Sequence, residues 1–265
     1  MANHIGVIGA GVMGEALIAA LIRSGIHPAD ISFTEKRDER AAELTARYSI
    51  VHKDLASVSA SSQTILLVVK PQDMQTTLVE LAPHISPDCL VISFAAGKTI
   101  ASIAAVLASN NPIIRVMPNT PALIGKGASG YSLGEGVTKE QKSFVKSFLD
   151  ATGKAIEVPE ELQDSVTATS GSGPAYFFAF VEAMVDGAIA LGLTRADATT
   201  LTIQTIVGAA AMLQESGDTP TTLREKVTSP NGTTAAALSS FNNSGLHAIV
   251  SDAMAAAAKR SQELA

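Results

Sequence analysis

The sequence has little cysteine, little charge and no tryptophan. Its single cysteine, Cys89, excludes a disulfide framework and any metal site built from several cysteines. The five histidines have no metal-ligand spacing, so we expect no metal. The formal net charge of −6 excludes the basic surface that nucleic-acid binding requires. Motifs of serine hydrolases, P-loop proteins and zinc peptidases are also missing.

Long uncharged apolar runs are lacking too, although apolar residues make up 46% of the chain. A membrane-spanning helix needs about 20 apolar residues. The longest uncharged helical stretch, from Ala198 to Gln214, contains several Thr and Gln, and the stretch after Pro174 contains Glu182 and Asp186. We therefore expect a cytoplasmic protein with no membrane partner, whose extra apolar surface is buried between subunits.

In the first half, short β-rich runs alternate with helical stretches. The predicted strands are His4–Ile8, Ile31–Thr34, Thr64–Val69, Leu90–Phe94, Ile113–Val116, Ser129–Leu133 and Ala155–Val158. The predicted helices are Glu15–Ser24, Asp38–Tyr48, Asp73–Leu81, Thr99–Ala108 and Lys139–Ala151. This alternation predicts an α/β domain over residues 1–158, with a mostly parallel sheet and helices on both faces.

The character of the chain changes near Pro159. From Ala168 to Gly217 only five side chains are charged, and the stretch is rich in Ala, Thr and Gly with helical periodicity. Helices that are apolar nearly all round must be buried on all sides. We therefore predict an all-helical C-terminal domain, residues 159–265, that packs against a second subunit. An ordinary helical core is the alternative.

A glycine motif, Gly9-Ala10-Gly11-Val12-Met13-Gly14, follows the first predicted strand and opens a helix. In the dinucleotide-binding fingerprint the first glycine permits a tight turn, the second lets a pyrophosphate approach the backbone, and the third lets helix and strand pack closely. The positive end of the helix dipole would face the phosphates. We therefore predict a Rossmann-type domain that binds a dinucleotide. A glycine-rich turn without a ligand is the alternative.

The end of the second predicted strand bears on the choice between NAD and NADP. Glu35 lies 21 residues beyond Gly14, where an acid would accept a hydrogen bond from the ribose 2′-hydroxyl of NAD. Lys36 and Arg37 follow at once and could pair with the 2′-phosphate of NADP. A solvated charge cluster is a third interpretation, so the sequence alone leaves the preference open.

Three more loops follow strands of the predicted sheet. They have the sequences V-K-P-Q (Val69–Gln72), S-F-A-A-G (Ser93–Gly97) and R-V-M-P-N-T-P (Arg115–Pro121). Ligands of open α/β sheets bind beyond the carboxyl ends of the strands. We therefore expect these loops to meet at the nicotinamide end of the cofactor. Plain turns punctuated by proline are the alternative.

Two segments of the second half precede helices. Ser170–Tyr176, S-G-S-G-P-A-Y, places Pro174 in the first turn of a long helix. Ser229–Thr234, S-P-N-G-T-T, precedes an alanine-rich helix that we expect to begin with a threonine cap. A helix start of this kind can hold a carboxylate without arginine. From the residues alone, a plain helix cap is the favoured interpretation.

Taken together, these segments resemble the pyrroline-5-carboxylate reductase family, in the right order over nearly the whole chain. V-E-A-M-x-D and Q-T-I-V-G-A-A-A-M match as well. The resemblance implies an oxidoreductase acting on a C=N group, which reduces 1-pyrroline-5-carboxylate to L-proline with NADPH, or alternatively NADH, in the last step of proline biosynthesis. It also implies a homodimer with interlocked helical domains, and dimers of this family often assemble into a decamer of five dimers.

The resemblance further implies roles for individual residues. The candidate cofactor-binding residues are Gly9, Gly11, Val12, Met13, Gly14, Glu35, Lys36, Arg37, Val69, Lys70, Pro71, Ala95, Met117, Asn119 and Thr120. The candidate substrate-binding residues are Ser229, Asn231, Gly232, Thr233 and Thr234. Thr234 would lie near the ring nitrogen, and Glu182 is similar to a family acid near that site, so these two are the candidate catalytic residues.

The chain departs from the family pattern at three positions. Asn231 stands where the family usually has Gly, Val12 where Asn is frequent, and Val69 where Ala is frequent. Asn tolerates a positive φ better than most residues, so we expect its effect on the loop to be mild.

Two other functions stay open at this stage. A related reductase could act on another imine or on a β-hydroxy acid. A β-hydroxy-acid dehydrogenase would need a catalytic lysine, and Lys226 is the only lysine between Lys154 and Lys259. A regulatory protein that binds nucleotide without turnover is the second alternative, supported only by the altered Asn231 loop.

Overall fold

Within the residues that the computed structural model describes, 4–107 and 110–264, the chain forms one eight-stranded sheet. The strands are β1 (Ile5–Ile8), β2 (Ile31–Thr34), β3 (Val51–His52), β4 (Thr64–Leu67), β5 (Leu90–Ser93), β6 (Ile113–Met117), β7 (Gly127–Leu133) and β8 (Gly153–Glu157). Their order across the sheet is β3-β2-β1-β4-β5-β6-β7-β8. All neighbours pair in parallel except β6 and β7, which are antiparallel.

Helices α1 to α6 connect these strands. They are α1 (Val12–Arg23), α2 (Asp38–Tyr48), α3 (Leu55–Ser61), α4 (Met74–Leu81), α5 (Ile100–Leu107) and α6 (Lys139–Asp150). The later helices are α7 (Gln163–Val166), α8 (Gly173–Ala190), α9 (Arg195–Glu215), α10 (Pro220–Lys226), α11 (Thr233–Asn243) and α12 (Leu246–Gln262). A π-helical turn, Thr167–Gly171, follows α7 directly.

The sheet separates two buried apolar clusters because alternate strand residues face opposite sides. Ile5 and Val7 of β1 belong to one cluster, and Ile8 belongs to the other. The first cluster takes apolar side chains from α1, α2 and α6, and the second takes them from α3, α4 and α5. Burying one such side chain contributes about 1.5–3 kcal/mol. The predicted α/β fold with helices on both faces is therefore confirmed.

Local sequence explains where several helices begin and end. The capping box of α6 pairs the Thr138 hydroxyl with the Gln141 amide, and the Gln141 side chain with the Thr138 backbone. Helix α2 carries Asp38 and Glu39 in its first turn, where the helix dipole stabilises negative charge. The helix is terminated by its C-cap residue Ser49, which has φ of 56°. The predictions for β2 and α2 are confirmed to the residue.

Other sequence predictions need correction. Helix α1 begins at Val12, three residues before the predicted start at Glu15. Strands β4 and β5 end at Leu67 and Ser93, before the predicted ends. In the described part, helix α5 ends at Leu107, and the predicted end at Ala108 lies outside the described residues. Strand β3 and helix α3 were not predicted.

The chain divides into two compact units. One runs to Pro174 and takes in the segment from Ala256 onward, and the other is Ala175–Ala255. The first contains the sheet and helices α1 to α7. The second contains α9, α10, α11 and most of α8 and α12. In the second unit, α8 contacts α11 through Phe180 and Phe241, whose ring centroids are 6.2 Å apart.

The second unit exposes many large apolar side chains. They include Phe177, Phe178, Leu191, Leu201, Val207, Val227 and Ile249, with exposed fractions from 55% upward. Among the described residues of this unit, only two apolar residues are buried, Val185 and Ala198. Within the described residues, no helix is both long enough and apolar enough to cross a lipid bilayer.

Candidate active-site residues

The turn from β1 into α1 requires two of its three glycines. Gly9 has φ of +92°, and a Cβ there would lie 2.7 Å from the carbonyl oxygen of Val68. A Cβ on Gly14 would lie 2.2 Å from the carbonyl oxygen of Gly9. Gly11 is different, because a Cβ there would meet no heavy atom within 4 Å. The space over Gly11 is therefore open to a ligand that approaches the backbone closely.

The start of α1 presents backbone donors beside this open space. Gly11 is the N-cap residue and provides no capping side chain, while Val12 is 64% exposed. The first internal bond joins the Glu15 amide to the Gly11 carbonyl at 2.9 Å. The amides of the first turn, together with the helix dipole, form a cradle that fits an anion such as a pyrophosphate.

Glu15, the residue after the last motif glycine, ties α1 to α2. Its carboxylate accepts hydrogen bonds from Arg40 and Arg47, and from the Tyr48 hydroxyl at 2.9 Å. Desolvation raises the pKa of Glu15, but the hydrogen bonds from Arg40, Tyr48 and Arg47 outweigh it and the pKa is lowered. The two arginines therefore balance a fixed negative charge close to the anion cradle.

Glu35, just beyond β2, is held by Arg37. The Arg37 Nε donates to Oε1 at 3.0 Å, and the Arg37 backbone amide donates to the same oxygen at 3.1 Å. Burial raises the pKa of Glu35, and the hydrogen bonds from Arg37 overcome this and lower it. Arg37 is exposed, so the structure presents a cation at this edge with the acid already paired. Lys36 lies between them in sequence and is also exposed.

Four loops meet at one edge of the sheet because β1, β4, β5 and β6 are parallel neighbours. They carry the candidate cofactor residues other than Glu35, Lys36 and Arg37, which follow β2; among those they carry, Lys70 is exposed and Ala95 is buried. Pro71 begins a short 3-10 turn after Val69, and Thr120 begins another before Gly125. The structure thus brings the loops after these strands to a common edge, which is where ligands of open α/β sheets bind.

The Asn119 side chain is buried, and both of its polar atoms are hydrogen-bonded. Its Nδ2 donates to the Ser170 carbonyl at 3.0 Å, and its Oδ1 accepts from the Ala128 amide at 2.9 Å. Only 8% of Asn119 is exposed. Sequence analysis assigned Asn119 to the cofactor and missed both contacts, which join residues 51 and 9 positions apart.

In the second unit, the Ser229–Thr234 loop has a defined turn. The Gly232 amide donates to the Ser229 carbonyl at 3.0 Å, and a Cβ on Gly232 would lie 2.3 Å from the Ser229 Oγ. Asn231 has φ of +59°, a left-handed conformation that Asn tolerates. The turn thus accepts Asn where the family usually has Gly.

Helix α11 begins directly after this turn. The predicted threonine cap is wrong: Gly232 is the N-cap and makes no side-chain hydrogen bond, while Thr233 and Thr234 are the first two helical residues. The N-cap falls on Gly232 because its backbone is extended and the next residue, Thr233, is already helical. The amides of that turn therefore have no capping side chain, as an anion site at a helix start requires.

Two further charged groups of the second unit were singled out by sequence. Glu182 is exposed on α8. Lys226, at the end of α10, donates to the Asp218 carboxylate at 2.5 Å, and its side chain is 59% exposed. Lys226 is therefore engaged in a surface ion pair.

Cysteine and metal chemistry find no support among the described residues. Cys89 is buried, and burial raises the pKa of its thiol to about 12. A thiol with that pKa is a poor nucleophile near neutral pH. Across residues 4–107 and 110–264, no three His, Cys, Asp or Glu side chains are grouped so that they could hold a metal ion.

Two family models match the chain. One, described as pyrroline-5-carboxylate reductase dimerisation, matches residues 160–264. The other, described as NADP oxidoreductase, coenzyme F420-dependent, matches residues 4–97. The first match covers the helical half, and the second covers the glycine motif.

Relatives named pyrroline-5-carboxylate reductase are similar over the full length. The protein of Pseudomonas aeruginosa is 43% identical over 264 residues, which is 99% of this chain and 97% of the relative. That of Methanosarcina acetivorans is 40% identical, over 99% of this chain and 98% of the relative.

Solved structures agree with these sequence relatives. A pyrroline-5-carboxylate reductase from Coxiella burnetii has a TM-score of 0.91 and 34% identity, covering 100% of this chain and 99% of that one. The Plasmodium falciparum pyrroline carboxylate reductase with NADP bound has a TM-score of 0.90 and 28% identity, with coverage of 100% and 99%. Fold, motifs and full-length identity agree, and the chain belongs to the pyrroline-5-carboxylate reductase family.

Proposed function

We propose that this protein reduces 1-pyrroline-5-carboxylate to L-proline by hydride transfer from NADPH, with NADH as the alternative donor. The observation that carries the proposal is 43% identity to a named pyrroline-5-carboxylate reductase over 99% of the chain. The anion cradle at α1 and the uncapped start of α11 support it, because the dinucleotide and the substrate are both anions.

The residues at β1 and α1 fit a dinucleotide. Open space over Gly11 and the amides of Val12, Met13 and Gly14 would hold the pyrophosphate. Val69, Lys70, Pro71, Ala95, Met117 and Thr120 would line the nicotinamide side. The relative from Plasmodium falciparum was solved with NADP, which supports use of the same cofactor here.

The exposed Arg37 favours NADPH over NADH. Because Glu35 is already paired with Arg37, its carboxylate is less available to a ribose 2′-hydroxyl. Lys36 and Arg37 would instead face the 2′-phosphate, where a guanidinium forms strong paired hydrogen bonds.

The substrate loop would hold the carboxylate of the imine acid. Ser229, Asn231, Gly232 and Thr233 lie at the start of α11, where free amides and the helix dipole favour a negative charge. Thr234, the second helical residue, would accept a hydrogen bond from the protonated ring nitrogen through its hydroxyl oxygen and so orient the iminium.

The reaction needs little acid–base chemistry from the protein. Bound NAD(P)H supplies the hydride, which adds to the imine carbon that becomes C5 of proline. An iminium is already a hydride acceptor, so the residues contribute mainly by orienting it and excluding water. Glu182 is exposed on α8 and would interact with the cationic ring nitrogen through its carboxylate.

We also propose the assembly and organisation of the chain. The dimerisation-domain match and the exposed apolar side chains of the second unit support a homodimer, and a decamer of five dimers is the larger assembly proposed. The division into a dinucleotide domain, residues 1–158, and a dimerisation and substrate domain, residues 159–265, is supported by that match, which begins at residue 160. We place the activity in the cytoplasm.

The β-hydroxy-acid alternative has little structural support. It needs a lysine free to act as acid or base, and Lys226 is paired with Asp218 on the surface.

Turnover of racemic pyrroline-5-carboxylate tests the proposal. We expect oxidation of NADPH at 340 nm with equimolar formation of L-proline, identified by chiral chromatography. Tight cofactor binding without proline formation would contradict the proposal and favour the regulatory alternative.

A further inference from the structure

Two buried amides hold the loop after β6 and the π-helical turn together. Asn119 joins the Ser170 carbonyl of the turn to the Ala128 amide of β7. At the other end of the turn region, Gln163 donates from Nε2 to the Ser132 hydroxyl at 2.9 Å and is fully buried. The segment from α7 to Gly171 is thus fixed on the sheet at both of its ends.

The turn also packs against Met117, the last residue of β6, which lies two residues before Asn119. A Cβ on Gly171 would lie 2.5 Å from the Cε of Met117. Glycine at this position therefore lets the turn approach Met117 closely. π-helical turns cost hydrogen-bond geometry and are frequent at functional sites. The hydrogen bond from Asn119 to the Ser170 carbonyl thus holds a π-helical turn in place of regular α-helix.

We propose that Asn119 is a positioning residue for hydride transfer, which acts through the Ser170 carbonyl and the Ala128 amide and not by contacting the dinucleotide. This inference rests on the proposed function. Both functional groups of the amide are already bonded, and the side chain is buried. The role of these two hydrogen bonds is to hold Met117 and Thr120 in one conformation at the nicotinamide side.

A positioning role predicts a specific kinetic signature. The pyrophosphate cradle at Gly9 to Gly14 is a separate segment, so cofactor affinity should persist when the segment from Met117 to Thr120 shifts. Hydride transfer depends steeply on the donor–acceptor distance, so the chemical step should slow by about 10- to 100-fold.

Asn119→Ala and Asn119→Asp test this with the full-length protein. The Asp variant keeps the acceptor for Ala128 but places a carboxyl oxygen opposite the Ser170 carbonyl. We expect both variants to lower kcat by about 10- to 100-fold, while the NADPH Kd measured by calorimetry stays within about threefold of wild type. Full kcat in the Asp variant, or a Kd that rises as much as kcat falls, would overturn the proposal.

Asn111→Asp is the matched control. Asn111 is equally buried, and its Nδ2 donates to the carbonyls of Ser86, Pro87 and Cys89. It precedes β6, at the opposite end of the strand from Asn119. We expect its Tm to fall and its kcat to match wild type. An equal loss of kcat in this control would reduce the Asn119 effect to general destabilisation and overturn the proposal.

Gly171→Ala decides the matter if the Asn119 variants do not fold. The added methyl meets the flexible end of Met117, so the protein should fold while the side chain moves. We expect a lower kcat at unchanged NADPH Kd, and an unchanged kcat would overturn the proposal. An inactive wild type would refute the proposed function instead, so the two failures are distinguishable.

Discussion

Arg37 binds the carboxylate of Glu35 through both its side chain and its backbone, with the Nε–Oε1 distance at 3.0 Å. Glu35 is the candidate partner of a ribose 2′-hydroxyl, and Arg37 is a candidate partner of a 2′-phosphate. The ion pair therefore couples the two side chains that bear on cofactor choice. When the cofactor binds one of them, the other loses its partner.

Changing either member of this pair should shift cofactor preference in opposite directions. Arg37→Ala removes the phosphate partner and frees Glu35, so the ratio of kcat/KM for NADPH over NADH should fall about tenfold. Glu35→Gln releases Arg37 and should raise that ratio. Steady-state kinetics with both cofactors measures it, with Lys139→Ala as a remote charge control. Equal ratios in all variants would remove the pair from cofactor selection.

Glu15 should make stability depend on pH in the acid range. Its pKa is lowered in the folded protein, so the stabilisation is present above the ordinary glutamate pKa and is lost as pH falls through the lower folded value. Glu15→Gln should lower the free energy of unfolding at pH 7 by about 1 kcal/mol, and this difference should shrink below about pH 4.

Urea unfolding at pH 7 and at acid pH, at one protein concentration, measures the Glu15 effect. Glu39→Gln, which changes an exposed acid of helix α2, is the control. A difference between Glu15→Gln and wild type that grows on acidification would show that the sign is wrong.

Thr234 should contribute its hydroxyl to the reaction. Thr234→Ala should lower kcat/KM by about 10- to 1000-fold, or roughly 1.4–4 kcal/mol, because the imine loses its orienting hydrogen bond. Thr234→Ser keeps the hydroxyl and should recover most of the activity. Thr200→Ala, an exposed threonine of α9 that bonds the Ala196 carbonyl, is the control. Unchanged kinetics in Thr234→Ala would exclude Thr234 from the mechanism.

The exposed apolar side chains of the second unit predict an obligate oligomer. Phe177, Phe178 and Leu191 are 61%, 64% and 90% exposed in the isolated chain, so a monomer would carry a large apolar surface into water. Sedimentation at micromolar concentration should show a mass of at least two chains and no 27.3 kDa species. A well-folded monomer would refute this assembly.

The sequence predicted the elements whose patterns are strong. Strand β2 and helix α2 were located to the residue because a buried run is followed by a charged amphipathic stretch. Strand β3 was missed because it has two residues, both exposed, and so leaves no periodic signal. Helix α3 was missed because serine has a modest helix propensity, although Asp54 caps it.

The candidate site was predictable where a motif fixes local backbone, and much less so where distant residues meet. The roles of Gly9 and Gly14 and the tolerance of Asn231 for positive φ follow from local geometry. The contacts of Asn119 with Ser170, and of Glu15 with Arg47, depend on how elements pack. The seven-residue spacing of Arg40 and Arg47 on α2 was the available signal, because it places both on one helix face.

Isotope transfer tests the central claim most directly. NADPH deuterated at nicotinamide C4 on the transferred face is incubated with the protein and pyrroline-5-carboxylate, and the proline formed is analysed by NMR. Hydride transfer to the imine carbon predicts one deuterium at C5 of L-proline. Proline without deuterium at C5 from cofactor labelled on either face, or no proline at all, would contradict the account.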